Sequence, residues 1–177
     1  MGEMTITEQQ FTVPASTLFD AITNPYSYPK WLVGTRHIRY VSSNWPQPTS
    51  YFKHTVGFGP IAIPDRTTVR VIEQPRMVEM LVRARPVIEA VVRFEVNPSP
   101  AGCTLRMEET PVGVYKLFSA FAQPLIRLRN ERSLHRLRSM LGTNPDPSAV
   151  REGTGGSAAH RTGQRQAQEN ADNESPA

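Results

Sequence analysis

The sequence predicts a single α+β domain over residues 1–141, with a curved antiparallel sheet wrapped around a long C-terminal helix and two short helices after the first strand. Three observations predict it. Runs of period-two alternation fill the middle of the chain, and a helical period returns between Val114 and Leu141. From Gly142 to Ala177 the chain then has one aliphatic residue larger than alanine, Val150, and no aromatic. Such a stretch cannot bury enough apolar surface to offset its ordering entropy, so a disordered polar tail is expected over 142–177.

The elements follow in order. A first strand ends near Val13; Pro14 suits an early helical position and Ser16 a cap for a helix over Leu18 to Thr23, which Pro25 stops. A second short helix is expected over Tyr28 to Leu32, closed by Gly34. The period then becomes two in runs around Arg36 to Val41, Tyr51 to Phe58, Arg66 to Glu73, Met77 to Arg85, Val87 to Val96 and Cys103 to Thr110. Turn chemistry separates them at Asn44 to Pro48, Gly57 to Pro64, Gln74 with Pro75, and Asn97 to Gly102. Connections this short make successive strands antiparallel neighbours.

Alternation also assigns faces. Thr67, Val69 and Val71; Val78, Met80, Val82 and Ala84; Ile88, Ala90, Val92, Phe94 and Val96; and Cys103, Leu105 and Met107 all point inward, leaving the opposite face solvated. The last helix contains a fault. Leu117, Phe118, Phe121, Leu125 and Leu128 share one side of its first half, while Ile126, Asn130, Leu134, Leu137 and Leu141 share nearly the opposite side of the second. The changeover falls beside Pro124, so a kink is expected there, with the two halves packed on different parts of the sheet.

Charge and composition exclude several classes. Of the 20 Lys and Arg and 16 Asp and Glu, 17 and 11 lie up to Leu141, which makes the domain basic and the tail acidic. Cys103 is the single cysteine, so an intramolecular disulfide is excluded, and no Cys and His spacing suits zinc. The N-terminus has no apolar signal core and no run is long enough to span a membrane, so a reduced, cytoplasmic setting is expected. Phosphate-binding loops, nucleophile elbows and HExxH motifs are absent, and no cofactor is expected.

The stretch FTVPASTLFDAITNPYSYPKWLVG resembles the opening of the SRPBCC superfamily, the START and birch-pollen-allergen-like proteins. SNWPQPTSYFKHTVGFGPIAIPDRT, EQPRMVEMLVRARP, and MEETPVGVYKLF followed by RNERSLHRL are similar to its actinobacterial polyketide cyclase/dehydrase and lipid-transport group. The resemblance covers residues 5–141 and implies a helix-grip fold. It also implies functions that range over ligand carriage, ligand sensing and cyclisation of poly-ketone chains. Where the group tends to have glycine before the third strand, this chain has Thr49 after Pro48.

An apolar cavity between sheet and helix is the expected site. Its candidate walls are Trp31, Phe52, Phe58, Val69, Val71, Met80, Val82, Ala90, Val92, Phe94, Leu105, Met107, Phe118, Phe121 and Leu125, unless these residues simply fill a closed core. Burying about ten methylenes of a ligand is worth roughly 8 kcal/mol before association costs. Two candidate catalytic groups share the inner face. His54 is in phase with Phe52, Val56 and Phe58, and acts either as acid, base or polariser, or as a hydrogen-bonded structural histidine. Glu109 is in phase with Leu105 and Met107; a buried carboxylate must be paired or lose its charge, and Arg129 and Asn130 are its candidate partners. Asp65, Arg66 and Tyr115 are weaker candidates, with Asp65 assigned to the turn after Pro64.

Arg127, Arg129, Arg132, Arg136 and Arg138, with Lys116 and only Glu131 opposing, give the last helix a basic surface. It suits transient contact with an anionic membrane, whereas no motif that reads nucleic acid accompanies it. Three readings follow: a carrier or sensor of a lipid or polyketide-like molecule; a cyclase or dehydratase using His54 and Glu109 without a cofactor; or an interaction module whose cavity is collapsed.

Overall fold

The computed structural model describes residues 4–58, 60–84, 88–113 and 119–142, without the side chains at 58, 88 and 119–122. The period-two runs form seven strands: β1 (Thr5–Phe11), β2 (Thr35–Val41), β3 (Tyr51–Phe58), β4 (Ile61–Glu73), β5 (Met77–Ala84), β6 (Ile88–Ser99) and β7 (Gly102–Pro111). They make one curved antiparallel sheet in the order β1-β7-β6-β5-β4-β3-β2, so every strand from β2 to β7 lies beside its neighbour in sequence and the first strand closes the far edge. Helices α1 (Ala15–Thr23) and α2 (Tyr28–Trp31) follow β1, and α3 (Ser119–Gly142) ends the domain.

Alternation places one face of each strand inward. On β7 the burial alternates without a break, with Cys103, Leu105, Met107 and Glu109 buried. Ala90, Val92, Phe94 and Val96 do the same on β6, and Phe52, His54 and Val56 on β3. Leu18 and Ile22 of α1 and Tyr28 and Trp31 of α2 pack against these strands, joined by Leu134 and Leu137 of α3 in one core. Each large apolar side chain so buried is worth about 1.5–3 kcal/mol of transfer free energy. Aromatic rings knit the core: Trp31 sits 5.0 Å from Tyr28 and 6.3 Å from Phe94, centroid to centroid.

Several expectations need correction. Val71 is 42% exposed. β4 pairs Val69 with Met80 but Val71 with Glu79, so a bulge between them breaks the alternation and turns Val71 out. Residues Ile61 to Pro64 belong to β4 and not to a turn; Pro64 faces Thr55 of β3, while the pairing with β5 starts only at Arg66. Proline is tolerated where the ladder on one side of a strand is unformed. Ser16 lies within α1, whose N-cap is Pro14 without a side-chain cap hydrogen bond.

Pro124 lies inside α3. The second-half face is buried as expected, at Asn130, Leu134, Leu137 and Leu141, but Leu125 and Leu128 of the first-half face are 69% and 43% exposed. Those two therefore do not pack on the sheet, and Leu125 is no cavity wall. Thr49, at the glycine-like position before β3, has φ 69°, the left-handed region that favours glycine. The expectations for Tyr115, Lys116, Leu117, Phe118 and the tail lie outside the described residues, as do those for the side chains of Phe58, Ile88 and Phe121.

Candidate functional site

The inner face opens into a cavity where three strands change from apolar or neutral to ionisable residues within two positions: Phe52 to His54 on β3, Thr67 to Asp65 on β4, and Met107 to Glu109 on β7. Of the expected apolar walls, Met80, Val82, Val92, Phe94 and Met107 line it. His54 and Glu109 line it as well. Trp31, Phe52, Val69, Ala90 and Leu105 are buried but belong to the packed interior rather than the cavity lining.

His54 and Asp65 stand directly opposite each other across the β3–β4 ladder. His54 Nε2 lies 2.9 Å from Asp65 Oδ2, and the backbone N–H of Arg83 donates to Asp65 Oδ1 at 3.1 Å. Both residues are nearly sealed from solvent, 2% and 3% exposed. The imidazole also lies against the Phe52 ring, 5.1 Å between centroids. Asp65 therefore serves His54 from a strand, and not a turn.

Glu109 is 5% exposed and pairs in the sheet with Val92. The Asn130 amide donates to its Oε2 at 3.0 Å, and Arg129 Nη1 stands 3.6 Å from the same oxygen. Both expected partners are thus engaged. α3 is held in position for this by the turn between α2 and β2: the Val33 N–H donates to Ser133 Oγ at 3.0 Å, and Arg129 Nε donates to the Val33 carbonyl at 3.2 Å. A buried carboxylate with a guanidinium and an amide beside it is a satisfied group.

Sequence reasoning missed Tyr28, Leu32, Val56, Asp65, Thr67, Ala84 and Arg129 as lining residues. Asp65 was in reach, because it is in phase with Thr67 and Val69 once the strand is continued through Pro64. The Tyr28 hydroxyl donates to the Ile22 carbonyl at 2.8 Å and touches Met80 Sδ at 3.8 Å; burial pushes its phenol well above the ordinary tyrosine range. Tyr28 is thus fixed wall, not a proton donor to a ligand. Among the described residues no group of three or more His, Cys, Asp or Glu could hold a metal ion.

The cavity is small. Its volume is about 40 Å³ in terms of where the centre of a water molecule can sit, room for a few waters at about 10–15 Å³ each. Anything larger must displace side chains, and Met80 and Met107, unbranched and adaptable, are suited to move.

The fold is shared by many solved proteins of low identity. A protein from Rhodobacter sphaeroides superposes with TM-score 0.66 at 17% identity, over 81% of this chain and all of its own. Ara h 8.0201 superposes with TM-score 0.64 at 12% identity, over 80% of this chain and 99% of its own. DynU16, from the dynemicin biosynthetic locus, does so with TM-score 0.61 at 16% identity, over 79% of this chain and 47% of its own. No curated protein matches the chain. Residues 3–142 match the sequence profile of the family described as polyketide cyclase / dehydrase and lipid transport, and the chain belongs to that SRPBCC-type family, built on the helix-grip fold.

Proposed function

We propose that the protein is a carrier or sensor that binds a hydrophobic small molecule, a lipid or a polyketide-like compound, in the cavity between sheet and α3. One observation carries this reading: a cavity walled by Met80, Val82, Val92, Phe94 and Met107 that also presents polar groups held by partners within the protein. Apolar lining with a small number of placed polar groups is the usual composition of a small-molecule site. The family supports hydrophobic ligands in general and leaves the compound open.

A dansyl-labelled fatty acid should gain fluorescence with the full-length protein and lose it with Met80→Trp, which fills the cavity. No binding by a folded parent protein would favour the collapsed-cavity interaction module instead. The setting this reading assumes is cytoplasmic; among the described residues no helix is long and apolar enough to cross a membrane. The exposed Arg132, Arg136 and Arg138 suit brief contact with anionic lipid for ligand pickup. Cosedimentation with phosphatidylserine vesicles that fails to weaken as salt rises would refute that contact.

A second reading is a cyclase or dehydratase, favoured by the presence of both His54 and Glu109 on the cavity wall. It requires the two to act on one bound molecule, so His54→Ala and Glu109→Gln should alter probe affinity non-additively. Additivity within about 0.5 kcal/mol would remove the acid and base pair that this reading needs.

A further inference from the structure

Binding an apolar molecule does not require a buried polar pair, yet β3 and β4 provide one. Asp65 accepts at both carboxylate oxygens: Oδ1 takes the Arg83 N–H, and Oδ2 faces His54 Nε2. A carboxylate only accepts, so Nε2 of His54 carries a hydrogen. In the neutral ring the other nitrogen then offers a lone pair and no hydrogen. Nδ1 of His54 is buried and has no hydrogen-bond partner among the described residues. Three other buried side-chain atoms share that condition, Thr7 Oγ1, Thr35 Oγ1 and Arg93 Nε, but none of their residues lines the cavity. Buried polar atoms are nearly always satisfied, so an unpartnered one on a residue that lines a cavity is open to a hydrogen-bond donor that enters that cavity.

We infer that the ligand is an apolar molecule bearing a hydroxyl, as an alcohol, phenol or enol, and that this hydroxyl donates to Nδ1 of His54. The inference rests on the cavity-binding reading and adds the polarity of the ligand. A ketone, ether or hydrocarbon of the same shape leaves Nδ1 unpartnered, and a site built to pair with a hydroxyl discriminates against analogues that lack one.

Asp65 sets this polarity and is the place to reverse it. In Asp65→Asn the side chain keeps one acceptor, its amide oxygen. The Arg83 N–H, fixed beside Arg66 in the β4–β5 ladder, requires that oxygen at the Oδ1 position. The amide NH₂ then faces Nε2, which must accept, and the ring hydrogen moves to Nδ1. The same cavity wall becomes a donor and prefers a ligand carbonyl.

The matched series indanol, indanone and indane tests this with the full-length protein by displacement of the dansyl fatty acid. The parent should bind indanol about tenfold more tightly than indanone. Asp65→Asn should reverse that order, and His54→Phe should bind all three alike. Nitrogen NMR of the unliganded parent should show a hydrogen on Nε2 of His54 and none on Nδ1, with the two exchanged in Asp65→Asn. Equal affinities for indanol and indanone in the parent would overturn the inference and leave the binding reading standing. Failure of the dansyl probe itself to bind would remove both. A hydrogen on Nδ1 of the parent would overturn the inference by itself, even if neither variant folds.

Discussion

The packed and the cavity-forming parts of the inner face share the same strands but solve different problems. In the packed part, Trp31, Phe52, Leu105, Leu134 and Leu137 are sealed from solvent and meet α1, α2 and the second half of α3. In the cavity part, His54 with Asp65 and Glu109 with Asn130 and Arg129 hold one another. Alternation treats both alike, since it reports only that a position faces inward. The lesson lies in what the inward residue needs: shape complementarity in one part and a partner in the other.

The largest expected effect comes from the packed part. Trp31→Ala should lower unfolding free energy by about 3–5 kcal/mol, through lost transfer energy and the void it leaves. A denaturant titration in which it costs less than a kilocalorie would break the distinction. In the cavity part the cost should come from orphaned groups rather than volume. Asp65→Ala leaves both the Arg83 N–H and His54 Nε2 without their acceptor, a loss of about 2–4 kcal/mol. Adding His54→Phe should restore part of it, because one orphan disappears; a double variant that loses the full sum would mean that the pair is not coupled.

Glu109→Gln should cost at most about 1 kcal/mol, since glutamine keeps the size and an oxygen for the Asn130 amide. Arg129 retains the Val33 carbonyl. A loss as large as that of Asp65→Ala would show that the Arg129 charge, and not the Asn130 hydrogen bond, holds this corner.

How much of this was legible in the sequence depends on the residue. Parity alone points Leu105, Met107 and Glu109 inward, and β7 carries no irregularity to disturb it. Val71 was misplaced because one bulge shifts a strand by a residue, and the neighbouring side chains give no local sign of it. Asp65 was lost to a rule that treats proline as punctuation, although parity with Thr67 already aimed it inward. The pairing of His54 with Asp65 further needs the β3–β4 register, which a long strand after a short turn sets in three dimensions. Thr49 departs from glycine in a backbone conformation that favours glycine, so the family pattern was visible there while its geometric reason was not.

The smallest expected effect is the most direct test of where the helix divides. Helical periodicity grouped Leu125 with residues expected to face the sheet, yet it is 69% exposed, on the same helix that buries Leu134 and Leu137. An exposed leucine contributes little transfer energy, and replacing it with a polar residue removes no packed contact. Leu125→Lys should therefore change unfolding free energy by no more than about 0.5 kcal/mol, whereas Leu137→Ala should lose about 2–5 kcal/mol on the same helix. Dansyl fatty acid affinity should also be unchanged in Leu125→Lys, because Leu125 is not among the residues that line the cavity. A clear loss of stability would mean that Leu125 packs in solution after all. A loss of probe binding with stability intact would instead place it on the ligand's path, and the boundary between packed and binding parts would have to move along α3.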